Sequence, residues 1–370
     1  VSIDFDTAID RLHTGSNKWS RYPADVLPMW VADMDFAAAP EIVDAIVRRL
    51  QHPVFGYGSA SPELRDRIVA DMAAKYAWSI RAEDIVFLPG VEPGFNMAIK
   101  ALLQPGQRLA IQTPIYRPIL NAPGMWSLAS VDIRMDQPIA QQRHLLEDAD
   151  AILLCNPHNP TGKVYGRSDL LALAQAMGDR PIIADEIHCE LLYNGRQHIP
   201  IASLQPAIAD RTITLMSAAK TYNIPGLKAA FAIVQNPQLR RRFEGSRLGM
   251  VDSVNVLGLE ATLAAFRDAT AWRDAVVTYL EGNRDVFTSA LAEHLPGVAL
   301  HPPEATYLAW LDCSALGLEN PAQHFLDHAR VALSPGSDFG AAYGQFVRLN
   351  FGCPRQRLLE AIHRMASSLR

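Results

Sequence analysis

Short runs of β-branched and aliphatic residues punctuate the chain at Asp84–Leu88, Arg108–Gln112, Val131–Ile133, Ala151–Cys155, Pro181–Ala184, Thr212–Met216 and Ala229–Val234. Several are almost continuously apolar rather than alternating, which is how strands buried on both faces read, and longer helical stretches separate them. The pattern predicts an α/β fold with a mostly parallel sheet sandwiched by helices. Ahead of the first strand, Pro40 opens a segment in which Ile42, Ile46 and Leu50 recur at helical spacing, with proline suited to a first turn. Beyond the last strand, Val256 to Leu280 is rich in Ala, Leu and charged residues and lacks proline, which predicts one long connecting helix. Tyr307–Leu311 then reads as a strand of a smaller α+β domain.

Composition narrows the class. A chain of 370 residues exceeds what one hydrophobic core usually organises, so two domains are expected. Lys plus Arg number 34 against 39 Asp plus Glu, leaving no basic excess to neutralise a nucleic-acid backbone. No apolar run approaches the roughly 20 residues that span a bilayer, and the N-terminus carries acids rather than a basic leader, so a cytoplasmic protein without a membrane partner is expected. Cys155, Cys189, Cys313 and Cys353 stand far apart with no metal-ligand spacing and read as reduced core residues; no metal is expected. Gly56-Tyr57-Gly58 does not make a dinucleotide fingerprint, because Ser61 stands where the third glycine belongs and no strand–turn–helix surrounds it.

Three polar segments each follow an apolar strand, where ligands bind in parallel α/β sheets. They are Asn156-Pro157-His158-Asn159-Pro160-Thr161-Gly162, Asp185-Glu186-Ile187-His188 and Ser217-Ala218-Ala219-Lys220-Thr221-Tyr222. Singly, each is ordinary loop chemistry. In this order, Asn-Pro-Thr-Gly, Asp-Glu and Ser-x-x-Lys resemble the fold-type I pyridoxal phosphate enzymes, the aminotransferase class I and II superfamily. Flanking segments Trp30–Phe36, Val54–Tyr57, Tyr222–Pro225 and Phe346–Pro354 narrow the likeness to the MalY/PatB group of cystathionine β-lyases. That resemblance implies an N-terminal segment 1–46 joining the small domain, a large cofactor-binding domain at 47–270 and a small C-terminal domain at 271–370.

The resemblance also implies roles. Lys220 holds pyridoxal 5'-phosphate as a Schiff base and moves the proton at Cα, since the chemistry needs an amine for both. Asp185 keeps the ring nitrogen protonated, Asn159 (preferred over Asn156) donates to the ring's phenolic oxygen, and Tyr116 stacks on the ring. Backbone amides of Val91 and Glu92 open a helix after a glycine turn and cradle the phosphate, although Glu92 brings a negative charge there and Pro93 offers no NH. Ser217 adds a hydroxyl, and Lys228, where many aminotransferases carry arginine, adds a cation. Tyr57 reaches the phosphate of a neighbouring subunit, implying a homodimer with shared sites. Arg348 matches the substrate carboxylate with a planar fork, and the backbone of Val31 and Ala32 completes that pocket. The expected reaction is β-elimination from cystathionine or another cysteine S-conjugate, giving a thiol, pyruvate and ammonia. Transamination is the first alternative, and a MalY-like regulator that binds a partner protein is the second.

Overall fold

The computed structural model describes residues 3–370. A seven-stranded sheet runs in the order Ile85–Leu88, Ala230–Ile233, Thr212–Met216, Ile182–Asp185, Ala151–Cys155, Arg108–Thr113 and Ala129–Arg134. Ala230–Ile233 is antiparallel to both of its neighbours, and every other pairing is parallel. The continuous apolar runs have a direct cause in this arrangement. Along Ala151–Cys155, Leu153 belongs to the core that includes Phe95, Ile119 and Phe243 on one face, while Ile152 and Leu154 belong to the core that includes Leu170 and Leu173 on the other. Burying each such side chain fully contributes about 1.5–3 kcal/mol, so a polar residue at any of these positions would cost more than a loop could recover.

A second, four-stranded antiparallel sheet joins Ser334–Pro335, Phe346–Asn350, Leu308–Asp312 and Ala299–Leu300 in that order. Leu27–Pro28 pairs in parallel with Val331–Ala332, carrying the early chain to the same region. No helix among the described residues is long and apolar enough to cross a membrane.

Three expectations change. The single helix over Val256–Leu280 is two, Val256–Asp268 and Thr270–His294, parted at Ala269 with φ −100° and ψ 22°. Neither Gly nor Pro marks that break. It arises because the first helix buries a face against helix Pro40–Leu50 while the second runs along Arg355–Ser367, and one straight rod cannot follow both. Within Pro40–Leu50 the buried positions are Ile42 and Ala45, and Leu50 is exposed. Asp84 belongs to a 3-10 turn, Ala82–Asp84, rather than to the strand, because its buried carboxylate is needed by Arg81 and Arg240.

Candidate active site

Strands Ala151–Cys155, Ile182–Asp185 and Thr212–Met216 are neighbours in the sheet and point the same way. Their carboxyl ends therefore deliver the three polar segments to one rim. A cleft of about 840 Å³ opens there, lined by Val31, Ala32, Val91, Glu92, Tyr116, Asn159, Asp185, Ser217, Lys220, Lys228 and Arg348. These residues come from positions more than 300 apart in the chain. Tyr57 does not line the cleft; the residue is 92% exposed in a segment without regular structure.

Asp185 ends its strand with a buried carboxylate whose one hydrogen bond comes from Ile187 N at 3.2 Å. Burial pushes its carboxyl up to about 7, against the opposing pull of the Ile187 amide and of Lys220. An ionised carboxylate at this depth wants a cation. Lys220 Nζ donates to the Ala32 carbonyl at 2.7 Å, and burial, followed by the nearby Arg348, lowers its amine to about 8. Arg348 lies on Phe346–Asn350, where its guanidinium donates to Asn159 Oδ1 at 2.9 Å and to Trp30 O at 2.8 Å and sits over the Phe339 ring. Burial lowers it to about 10, and its Nε is buried without a partner among the described residues. Because Arg348 occupies the oxygen of Asn159, the amide nitrogen of Asn159 is the end left to donate.

Helix Val91–Leu102 begins at the cleft after Gly90, with no side-chain cap. The amides of Val91 and Glu92 have no acceptor among the described residues, which leaves two donors and the positive helix end facing the cavity. The Glu92 carboxylate accepts from Tyr116 OH at 3.3 Å, so its charge is turned toward that hydroxyl. Ser217 differs from expectation: its hydroxyl donates to Ala229 O at 2.7 Å and accepts from Ala219 N. It serves the turn before Lys220, and would have to rotate to serve a ligand. Lys228, in the left-handed region at φ 51°, is exposed at the rim. Asn156 is absent from the lining, and its oxygen accepts from Tyr165 N.

Sequence reasoning passed over four groups. His188 lines the cleft, buried and with no partner for Nδ1 among the described residues; burial lowers it to about 3 and keeps it neutral. Its signal was its position three residues after Asp185. Tyr307 donates to Ala32 O at 2.9 Å, Ser334 Oγ donates to Trp30 O, and Asn350 bonds Val31 O and Asp33 O. Nothing in their local sequence announces these contacts.

A mostly parallel α/β sheet with a half-buried lysine, a carboxylate that no cation pairs among the described residues and a helix N-terminus at one strand-end cleft defines a class of cofactor-using enzyme scaffold. The chain belongs to the aminotransferase class I and II family, whose model matches residues 24–365. It is 34% identical over 387 residues to cystathionine beta-lyase PatB of Bacillus subtilis (strain 168), covering 99% of this chain and 100% of that protein. The crystal structure of OvoB superposes with a TM-score of 0.93 at 43% identity, covering 99% of both chains. The PLP-bound C-S lyase from Staphylococcus hominis gives a TM-score of 0.93 at 29% identity over 100% of this chain and 98% of that one.

Proposed function

We propose that this chain is a pyridoxal phosphate-dependent carbon–sulfur β-lyase that cleaves cystathionine or a related cysteine S-conjugate to a thiol, pyruvate and ammonia. The observation that carries the reading is the convergence of Lys220, Asp185 and Arg348 on one cleft in a chain 34% identical to a cystathionine beta-lyase along its length. The donor set fits the cofactor. The free amides of Val91 and Glu92, with Lys228 at the rim, suit a phosphate; the lone Asp185 carboxylate suits a protonated ring nitrogen; the Lys220 amine suits an aldehyde. Tyr116 would cover the ring and Asn159 would donate to its phenolic oxygen. When bound, the cofactor accepts the electron pair left at Cα as its proton departs.

The protein's own groups do the rest. Arg348 grips the α-carboxylate through its planar fork, with Val31 and Ala32 closing the pocket. A carboxylate there would also satisfy the orphaned Nε donor, whose burial costs about 1–3 kcal/mol. Lys220, lowered to about 8 by burial, takes the Cα proton, and the share of neutral amine able to do so grows as pH rises through that value. The Cβ–S bond then breaks with its electron pair leaving on sulfur, which takes a proton to become the thiol. Hydrolysis of the three-carbon remainder yields pyruvate and ammonia.

We further propose a cytoplasmic homodimer in which the exposed Tyr57 reaches the partner's phosphate site, with a large domain over 47–270 and a small one over 271–370 that 1–46 joins. The test of the activity is incubation of purified protein with cystathionine and no keto acid. Release of pyruvate with an equal amount of thiol supports elimination. Turnover only when a keto acid is added would replace it with transamination.

A further inference from the structure

Residues Trp30 to Asp33 form neither helix nor strand, yet side chains from distant parts of the chain hold their carbonyls. Asp33 N donates to Val31 O at 3.0 Å, closing a γ-turn centred on Ala32. Asn350, fully buried on Phe346–Asn350, straddles that turn and donates through Nδ2 to Val31 O and to Asp33 O, each at 2.6 Å. Its Oδ1 is itself fixed by Gly352 N at 2.7 Å. The Ala32 carbonyl is left for the cleft, where it accepts from Tyr307 OH at 2.9 Å and from Lys220 Nζ at 2.7 Å. Asn223, three residues after Lys220, accepts from Met34 N and donates to Met34 O and Phe36 O. The loop that carries the lysine and the turn that receives it are thus fastened together.

Resting on the reading of Lys220 as the cofactor-bearing lysine, we propose that the Ala32 carbonyl docks the Lys220 amine whenever that amine is not covalently engaged, and that Asn350 and Tyr307 are positioning residues that hold the carbonyl there. The reasoning is one of direction. In each turnover the amine must leave the cofactor, act at Cα and return, and a four-carbon stem has many rotamers in which it would miss. One acceptor, held directly by Tyr307 and through the carbonyls on either side of it by Asn350, two groups with no charge of their own, confines the amine without neutralising it. The charged groups facing Lys220 are Asp185, Arg348, Asp33 and Lys228, with neutral His188 alongside, and neither positioning residue is among them.

The test uses the full-length chain freed of cofactor. Pyridoxal phosphate is added across a range of pH, the covalent adduct is trapped with borohydride, and its site is mapped by peptide mass. The midpoint of the rate against pH reports the free amine. Asn350→Ala is expected to lower that midpoint by about one pH unit, because a half-buried ammonium loses its oriented acceptor, and Tyr307→Phe to shift it by a similar amount, because the phenol shares that oxygen with the amine. Folding is checked by circular dichroism. If Asn350→Ala does not fold, Tyr307→Phe decides alone, since it keeps the ring that packs against His188. A midpoint that is unchanged in a folded variant, or raised in Asn350→Ala, overturns the proposal. An adduct in the unmodified chain that maps to a residue other than Lys220 overturns instead the reading on which it rests.

Discussion

Replacing Asp185 with asparagine should make the cofactor-free protein more stable while crippling its capture of the cofactor. Asp185 is 5% exposed, and its carboxylate accepts one hydrogen bond among the described residues. Its rise from 3.8 to about 7 corresponds to about 4 kcal/mol weighing against the ionised folded state. Proton counting gives the sign. Between about pH 4 and pH 7 the folded chain keeps a proton that the unfolded chain has released, so stability falls as pH rises through that window and the full cost stands above it. Asparagine carries no charge, but leaves an unpaired amide donor at the cleft wall that costs about 1–3 kcal/mol if dry. The net expectation is that Asp185→Asn gains about 1–3 kcal/mol at about pH 8 and loses about 1–3 kcal/mol at about pH 4, where the parent's penalty has vanished and the amide's cost remains. Urea unfolding of both proteins without cofactor, at the two pH values, measures it. Adding pyridoxal phosphate should then stabilise the parent far more than the variant, because ligand affinity for the folded state appears directly as stability. A variant no more stable than the parent at the higher pH would refute the reasoning, since the carboxylate would then have to be well solvated or already paired.

Arg348→Lys keeps the charge but loses the fork that reaches Asn159 and Trp30, and steady-state kinetics should show KM for the amino-acid substrate rising about 10- to 100-fold with a smaller change in kcat. Lys220→Ala should abolish both the borohydride-trapped adduct and thiol release, as mass spectrometry and a thiol assay would report. Gly162→Ala would put a Cβ at φ +69°, 2.3 Å from Pro303 Cβ and 2.9 Å from Ala305 O, so thermal unfolding should show a loss of about 2 kcal/mol or more and Asn159, three residues earlier, should lose its register.

Much of the sheet was legible because its signal is local. A strand covered on both faces must be apolar at consecutive positions, and Ala151–Cys155 and Thr212–Met216 are recognisable for that reason, to the residue. The break at Ala269 was not, because no local chemistry enforces it; the packing partners of the two helices do. The cleft divides in the same way. Asp185, Asn159 and Lys220 each follow a strand and carry a chemistry that short spacing can suggest. Ser217 carried the right functional group, yet only the fold decided that its proton would go to Ala229 O.

By itself, then, the sequence determined which segments become parallel strands, which residues stand at their carboxyl ends and which family pattern those residues compose. The tertiary structure alone decided the directions. It turned the Glu92 carboxylate toward Tyr116, gave Arg348 its second neighbour in Asn159, and set the Ala32 carbonyl between Tyr307 and Lys220. Burial pattern is written every few residues along a chain, because water is excluded element by element. A hydrogen bond between residues 32 and 307 is decided by the packing of everything between them, and no short stretch of sequence contains it.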